Sequence, residues 1–313
     1  MPAAMPPVPL AHVAFIFPGQ GSQSVGMAAD IAARFPVAAA LFAEADDALG
    51  FALSRLIREG PESELRRTAN AQPAILLASI AAFRAAALTP SAVAGHSLGE
   101  YSALVAAGAL TFSDAVALVH KRGRYMHEAV PEGEGAMVAL IGAQPQAIIE
   151  AIADDGGAVD IANYNAPGQI VISGERGAVR RVAAASGARQ TIDLAVSAPF
   201  HCRLMGPAEQ RLRADLDAVP ISAPQISFYN NVDARKVTSA DDVRDGLARQ
   251  VSRAVRWTEL VERLVADEQV RTVVELGPGT VLSNMIKRID RTVERLTTGD
   301  AAGVDALRTR FGP

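Results

Sequence analysis

An internal disulfide is closed to this chain, because Cys202 is the one cysteine among its 313 residues. A lone thiol also excludes multi-cysteine metal clusters and fits a reducing compartment. Aromatic residues are scarce at 5%, and no apolar run reaches the roughly 18 to 20 residues that a bilayer span requires. No membrane is implied. A strong charge bias is missing as well: the formal net charge of -4 offers no basic surface to nucleic acid, and the acid excess is too mild for a solvating tail. The stretch 1–10 is rich in proline and lacks Lys and Arg, which matches neither a secretory signal nor a transit peptide. A cytoplasmic location is the default expectation. Half of the residues are hydrophobic, enough to bury a large domain or a large domain carrying a small inserted one.

What is present is a motif. Gly95-His96-Ser97-Leu98-Gly99 has the G-x-S-x-G form of a sharp strand-to-helix turn that exposes a serine nucleophile. Its flanks agree, since Pro90 to Ala94 fits a short buried strand and Leu98 to Ala107 an Ala-rich helix. In such an elbow the Leu98 N–H lies at the positive end of the helix and supplies half an oxyanion hole. A glycine-rich turn with an inert serine has the same pattern, and the elbow alone is equally compatible with water as acyl acceptor, as in a serine hydrolase. A nucleophilic serine needs a base. Of His12, His96, His120, His127 and His201, His201 is the best placed, in Ser197-Ala198-Pro199-Phe200-His201 at a predicted strand end.

The rest of the chain alternates strands and helices. Ala11 to Phe17 reads as a strand running into Pro18-Gly19-Gln20-Gly21-Ser22-Gln23, a loop dense in backbone donors, with a long helix expected from about Pro73 to Ala87. Thr111 and Asp114 form a capping signal for a helix to about Met126, whose far end carries Lys121, Arg122 and Arg124. Between Gly135 and Val196 the order is strand (Ala136 to Gly142), helix (Pro145 to Asp154), strand (Val159 to Asn163), strand (Gln169 to Gly174), helix (Gly177 to Ser186), strand (Gln190 to Val196). That βαββαβ order is the ferredoxin-like arrangement. The expected architecture is an α/β-hydrolase-like large subdomain with a parallel sheet, residues 1–132 and 198–313, and a ferredoxin-like small subdomain inserted at 133–197.

Five segments together, Phe17-Pro18-Gly19-Gln20-Gly21-Ser22-Gln23, Gly95 to Ala103, Lys121-Arg122-Gly123-Arg124, Pro199-Phe200-His201 and Asn230-Asn231-Val232, carry a resemblance. The chain resembles the malonyl-CoA:acyl carrier protein transacylases of bacterial fatty acid synthesis, in order and almost continuously from Val13 to about Ile289. The resemblance implies Ser97 as the acylated nucleophile and His201 as its general base, with the Gln20 and Leu98 N–H groups as oxyanion hole. It implies that a main-chain carbonyl, at the position of Gln250, orients the histidine in place of an aspartate. Arg122, twenty-five residues after Ser97, matches the arginine that pairs with the malonyl carboxylate, for which a planar fork suits bidentate binding. Alone, Arg122 reads as a solvated charge near a helix C-terminus.

Phe200 and His96 join Arg122 as expected substrate contacts. Phe200 departs from the serine that many relatives carry before the histidine, and in related polyketide acyltransferases Phe-His accompanies malonyl preference. Cys202 reads as packing. The implied substrates are malonyl-CoA and a phosphopantetheine-bearing acyl carrier protein, with no metal or redox cofactor, no nucleic acid or membrane partner, and a monomeric state. Lys121, Arg124, Arg180, Arg181, Arg189 and Lys287 are the candidates for a basic landing surface for the acidic carrier.

Overall fold

The structure is a computed structural model that describes residues 9–312. The proline-rich stretch read above as neither signal nor transit peptide lies almost wholly outside the described residues. The chain opens with β1 (Leu10–Phe17). Val13, Phe15 and Phe17 enter one core and Ala14 and Ile16 another, as expected for an interior strand covered by helices on both faces.

Five helices follow, α1 (Ala29–Arg34), α2 (Pro36–Leu49), α3 (Leu53–Glu59), α4 (Glu62–Leu65) and α5 (Thr68–Ala86). Then come β2 (Pro90–Gly95), α6 (Gly99–Ala106) and α7 (Phe112–Glu128). The Thr111 side chain caps α7 by accepting from the Asp114 N–H. The middle of the chain forms β3 (Gly135–Ile141), α8 (Pro145–Asp155), β4 (Val159–Ala166), β5 (Gln169–Glu175), α9 (Arg176–Ala185) and β6 (Gln190–Asp193). After a short turn at Arg203–Met205, the chain adds α10 (Gly206–Ala218), β7 (Ser227–Tyr229), β8 (Lys236–Val237), α11 (Ala240–Gln250) and α12 (Trp257–Asp267). It ends with β9 (Thr272–Glu275), α13 (Val281–Ile289), β10 (Glu294–Thr297) and α14 (Ala301–Phe311).

Two sheets result. The larger has the order β10-β9-β1-β2-β7-β8, and all its pairs are parallel except β7 with β8. From β1 the chain moves to β2 on one side and later to β9 on the other, so the strand order reverses beside β1. Ligands of open α/β sheets bind at the carboxyl ends of the strands at such a point. Phe17 pairs with Gly95 there, which sets the 18–23 loop and the elbow side by side.

The smaller sheet is antiparallel with the order β4-β5-β3-β6, the ferredoxin-like order expected from sequence. Val138, Leu140, Ile170 and Ile172 face its helices, while Met137, Ala139 and Val171 face the larger core. The small sheet thereby closes one side of the crevice above β1 and β2.

Three local expectations are corrected. β6 ends at Asp193 rather than Val196, because Leu194, Ala195 and Val196 leave the sheet edge to line the central cavity. Helix α10, the short edge strands β8 and β10, and α14 were not expected; each is short or largely polar on its outer face, so its periodicity is weak. The third correction is α5, which begins at Thr68 and carries Pro73 inside it. Proline has no N–H to give the carbonyl four residues back, here that of Ala69. His120 on α7 supplies the missing donor, with Nδ1 2.9 Å from the Ala69 oxygen. Gly123 permits the approach, since a Cβ there would stand 2.6 Å from the Thr68 carbonyl oxygen.

His120→Phe keeps an aromatic ring near Phe51 but removes that donor, and should lower stability to urea by about 1 kcal/mol. Adding Pro73→Ala returns an N–H to the helix and should recover most of the loss. A double variant no more stable than His120→Phe would contradict this role for His120.

Candidate active site

The elbow is shaped by close approach. A Cβ on Gly95 would overlap the Gly99 carbonyl, and one on Gly99 would overlap the carbonyl of Phe17. Both positions therefore require glycine, and between them Ser97 is held at φ 52°, a left-handed conformation costly for a residue with a Cβ. Asn231 fastens the turn: its side-chain oxygen accepts from the Ser97 N–H at 2.7 Å, and its amide donates to the Gly95 carbonyl at 2.7 Å. The serine side chain is thus presented at the end of β2.

His201, also at positive φ (59°), meets Ser97 from the opposite wall. Its Nε2 lies 2.7 Å from the Ser97 Oγ, and its Nδ1 lies 2.8 Å from the Gln250 carbonyl oxygen. A ring nitrogen facing a carbonyl must donate, so Nδ1 carries the proton and Nε2 is left to accept from the serine hydroxyl. Burial, reinforced by the nearby positive charge of Arg122, pushes the imidazole down to about 3. It rests neutral, the state in which an imidazole can take up a proton.

Arg122 differs from what it reads as alone, while its place beside Ser97 agrees with what the resemblance implies. It is 1% exposed, not a solvated helix-end charge. Its Nη1 donates to Gln72 Oε1 at 2.6 Å, and its Nη2 donates to Gln250 Oε1 at 2.9 Å and to Ser97 Oγ at 3.1 Å. The Nε is buried without a partner, and among the described residues no carboxylate pairs with the guanidinium directly. A buried cation served only by neutral groups is able to receive an anion.

The backbone N–H groups of Gln20 and Leu98 have no hydrogen-bond acceptor among the described residues. They border the same cavity as the Ser97 side chain. The Gln20 side chain is itself tied to Thr68 Oγ1 at 3.1 Å, and Thr68 to Ser197 Oγ at 3.1 Å. The cavity measures about 430 Å³ and is walled further by Met126, Met137, Leu194, Phe200 and Met285. His96 borders it too, but its Nε2 is occupied by Asn165 Oδ1 at 2.9 Å and its ring meets the edge of Trp257. Cys202 is buried with its Sγ on the Pro199 carbonyl, and burial pushes the thiol up to about 11. It is packing.

Ser97, His201, Gln20, Leu98, Arg122, Phe200 and His96 therefore gather around one cavity, with Gln250 behind its wall. Three polar groups there were not anticipated in these positions: Gln72, Glu100 and the Gln250 side-chain amide. The signal for the first two was a polar residue stranded in an apolar helix, since Gln72 and Glu100 are each 1% exposed among buried neighbours. No group of three or more His, Cys, Asp or Glu that could hold a metal occurs among the described residues.

His201 should give the NMR signature of a neutral imidazole with its proton on Nδ1 down to pH 5; titration near 6.5 would contradict the geometry. Unfolded, this group takes a proton below about 6.5, whereas folded it does so only near 3. The fold should therefore lose stability as pH falls through that window, and His201→Gln should flatten the slope.

Comparison with known proteins identifies relatives of this chain. The acyl transferase domain family matches residues 14–304. A malonyl CoA-acyl carrier protein transacylase of Haemophilus influenzae is 46% identical over 304 residues, covering 94% of this chain and 97% of that protein. An acyl carrier protein S-malonyltransferase of Vibrio cholerae, solved by crystallography, superposes with a TM-score of 0.92 at 45% identity, covering 95% of this chain and all of the other. A malonyl-transacylase solved with its type II polyketide acyl carrier protein superposes equally well, at 0.92 and 44% identity over 96% of this chain and all of that one.

Proposed function

The chain belongs to the acyl transferase domain family, and from that premise we propose that it is a malonyl-CoA:acyl carrier protein transacylase serving fatty acid synthesis. It moves a malonyl group from coenzyme A to the phosphopantetheine thiol of a carrier protein through a malonyl-serine intermediate. The observation that carries this reading is Arg122: a buried guanidinium 3.1 Å from the nucleophile, lacking a direct carboxylate partner among the described residues, selects an acyl group that brings its own negative charge.

The steps follow from the proton positions. Ser97 Oγ attacks the thioester carbonyl as its proton passes to His201 Nε2, and the Gln250 carbonyl holds the imidazolium by accepting from Nδ1. Negative charge developing on the thioester oxygen is met by the Gln20 and Leu98 N–H groups, which are already aimed and need no reorganisation. Collapse breaks the C–S bond, and the proton on Nε2 goes to the departing coenzyme A thiol. The second half runs in reverse: the carrier's thiol gives its proton to His201, attacks the acyl carbon, and Ser97 leaves as the hydroxyl. Met126, Met137, Leu194 and Phe200 keep the acyl-serine in apolar surroundings, which disfavours water as acceptor.

Arg122 binds the malonyl carboxylate, Phe200 shapes the space beside it, and His96 forms the wall rather than a contact to the carboxylate. The carrier docks near the mouth of the cavity. Of the six basic residues considered for that surface, Lys121, Arg124 and Arg181 are engaged with Asp215, Glu128 and Asp155, which favours Arg180, Arg189 and Lys287. No helix among the described residues is long and apolar enough to cross a membrane. Neither a metal nor a redox group has a part in these steps.

Removing Arg122 takes away the partner of a buried carboxylate, worth about 3 to 5 kcal/mol, or roughly a hundredfold to a few thousandfold. In transfer assays with the carrier, Arg122→Ala should lose malonyl transfer by such a factor while acetyl transfer changes by less than about tenfold. Equal losses for the two acyl groups would show that this arginine is not the carboxylate clamp.

A further inference from the structure

Arg122 has a second electrostatic neighbour that the transfer steps leave unused. Glu100, in the first turn of α6, is 1% exposed. Its Oε2 accepts from the Gln250 side-chain amide at 2.8 Å and from the Asn231 backbone N–H at 2.9 Å. The same Gln250 amide turns its oxygen to Arg122 Nη2 at 2.9 Å. One carboxamide therefore lies between a buried carboxylate and a buried guanidinium, N–H towards the anion and C=O towards the cation, in the orientation that stabilises both. Glu100 Oε1 makes no hydrogen bond among the described residues, so a proton can sit on it while Oε2 keeps both donors.

A buried cation needs compensation, and two buried carboxylates around one guanidinium are one too many. Before substrate arrives, Glu100 is the carboxylate available to Arg122. Once a malonyl group is seated, the guanidinium has a closer anion, and an ionised Glu100 becomes a buried excess charge. We propose that Glu100 is a specificity-determining residue: its carboxylate is the resting counter-charge of Arg122, and it takes up one proton from solvent when the substrate's carboxylate claims the guanidinium. An acetyl group brings no charge and calls for no proton. The inference rests on the reading of Arg122 as the carboxylate clamp.

The surroundings allow the exchange near neutral pH. Burial pushes the Glu100 carboxyl up to about 7, opposed by its hydrogen bonds from Gln250 and Asn231 and by the charge of Arg122. The other charged or titratable groups facing it do not change state there. Asp233, in the turn after β7, is held down at about 2 by Arg249. Tyr101, beside it on α6, is pushed well above its ordinary range by burial. Of the two histidines that border the neighbouring cavity, His201 is held down near 3, and burial lowers His96 as well.

The test is the ratio of kcat/KM for malonyl-CoA to that for acetyl-CoA, measured as acylation of Ser97 from pH 6 to 8.5, where the malonyl carboxylate stays ionised. In the wild-type protein the ratio should fall about tenfold as pH rises and Glu100 ionises, a competition worth about one pKa unit. In Glu100→Gln, which keeps an oxygen for Gln250 and Asn231 but cannot ionise, the ratio should stay constant within about twofold. A flat wild-type ratio, or a slope that survives Glu100→Gln, overturns the proposal.

Should Glu100→Gln fail to fold, the wild-type protein alone decides. In weakly buffered solution at pH 7 with an indicator dye, the malonyl-CoA burst should consume roughly half a proton per site and the acetyl-CoA burst none; equal uptake for the two overturns it. Arg122→Ala, run alongside, separates the two readings. Equal loss of both acyl groups defeats the clamp itself, whereas a selective loss with an unchanged pH slope in Glu100→Gln defeats the proposal for Glu100 alone.

Discussion

The site depends on one close approach, that of the elbow to the end of β1. Phe17 and Gly95 are parallel partners at the carboxyl ends of adjacent strands, and Gly99 lies so near the Phe17 carbonyl that a Cβ would collide with it. That contact fixes the height of Ser97 above the sheet and brings the Gln20 and Leu98 N–H groups to the same cavity. With larger residues at 95 or 99, the helix after the serine would move away from the first loop and the two donors would separate. The strain at Ser97 and His201 is held by what surrounds them: Asn231 on one side, the Gln250 and Val251 carbonyls on the other.

On this scaffold the electrostatics are arranged around a cation instead of an acid. Arg122 is buried and served by neutral amides, so on the proposed reading an anionic acyl group completes the site, while the same positive charge adds to burial in keeping His201 unprotonated at rest. A carboxylate in direct contact with the histidine would favour imidazolium in the ground state and would compete for Arg122. The carbonyl of Gln250 orients the ring without adding that charge. Glu100 stands one amide further back, joined to Arg122 through the Gln250 side chain.

Much of this was legible in the sequence because it is local. The βαββαβ order follows from period-two and period-3.6 patterns in sixty residues, and the elbow from five. Ser97, His201, Arg122, Gln20 and Leu98 were placed by register within a motif set and border one cavity, with Gln250 behind its wall. What was illegible is long-range. Pro73 reads as a helix start until His120, on another helix, supplies the donor that the proline removes. Arg122 reads as a surface charge until Gln72 and Gln250, fifty and 128 residues away, are seen to hold it. Glu100 follows directly on the motif, yet its position behind Gln250 depends on a contact between residues 150 apart in the chain. The pieces near the C-terminus, β10 and α14, lacked a strong period and were fixed by pairing with β9 and packing on α5.

The most direct test of the account is intact-mass spectrometry of the protein mixed with malonyl-CoA, then with phosphopantetheinylated carrier protein, beside Ser97→Ala. The account predicts a malonyl adduct that requires Ser97 and passes to the carrier. No adduct, or one lost to water while the carrier stays unmodified, would contradict it.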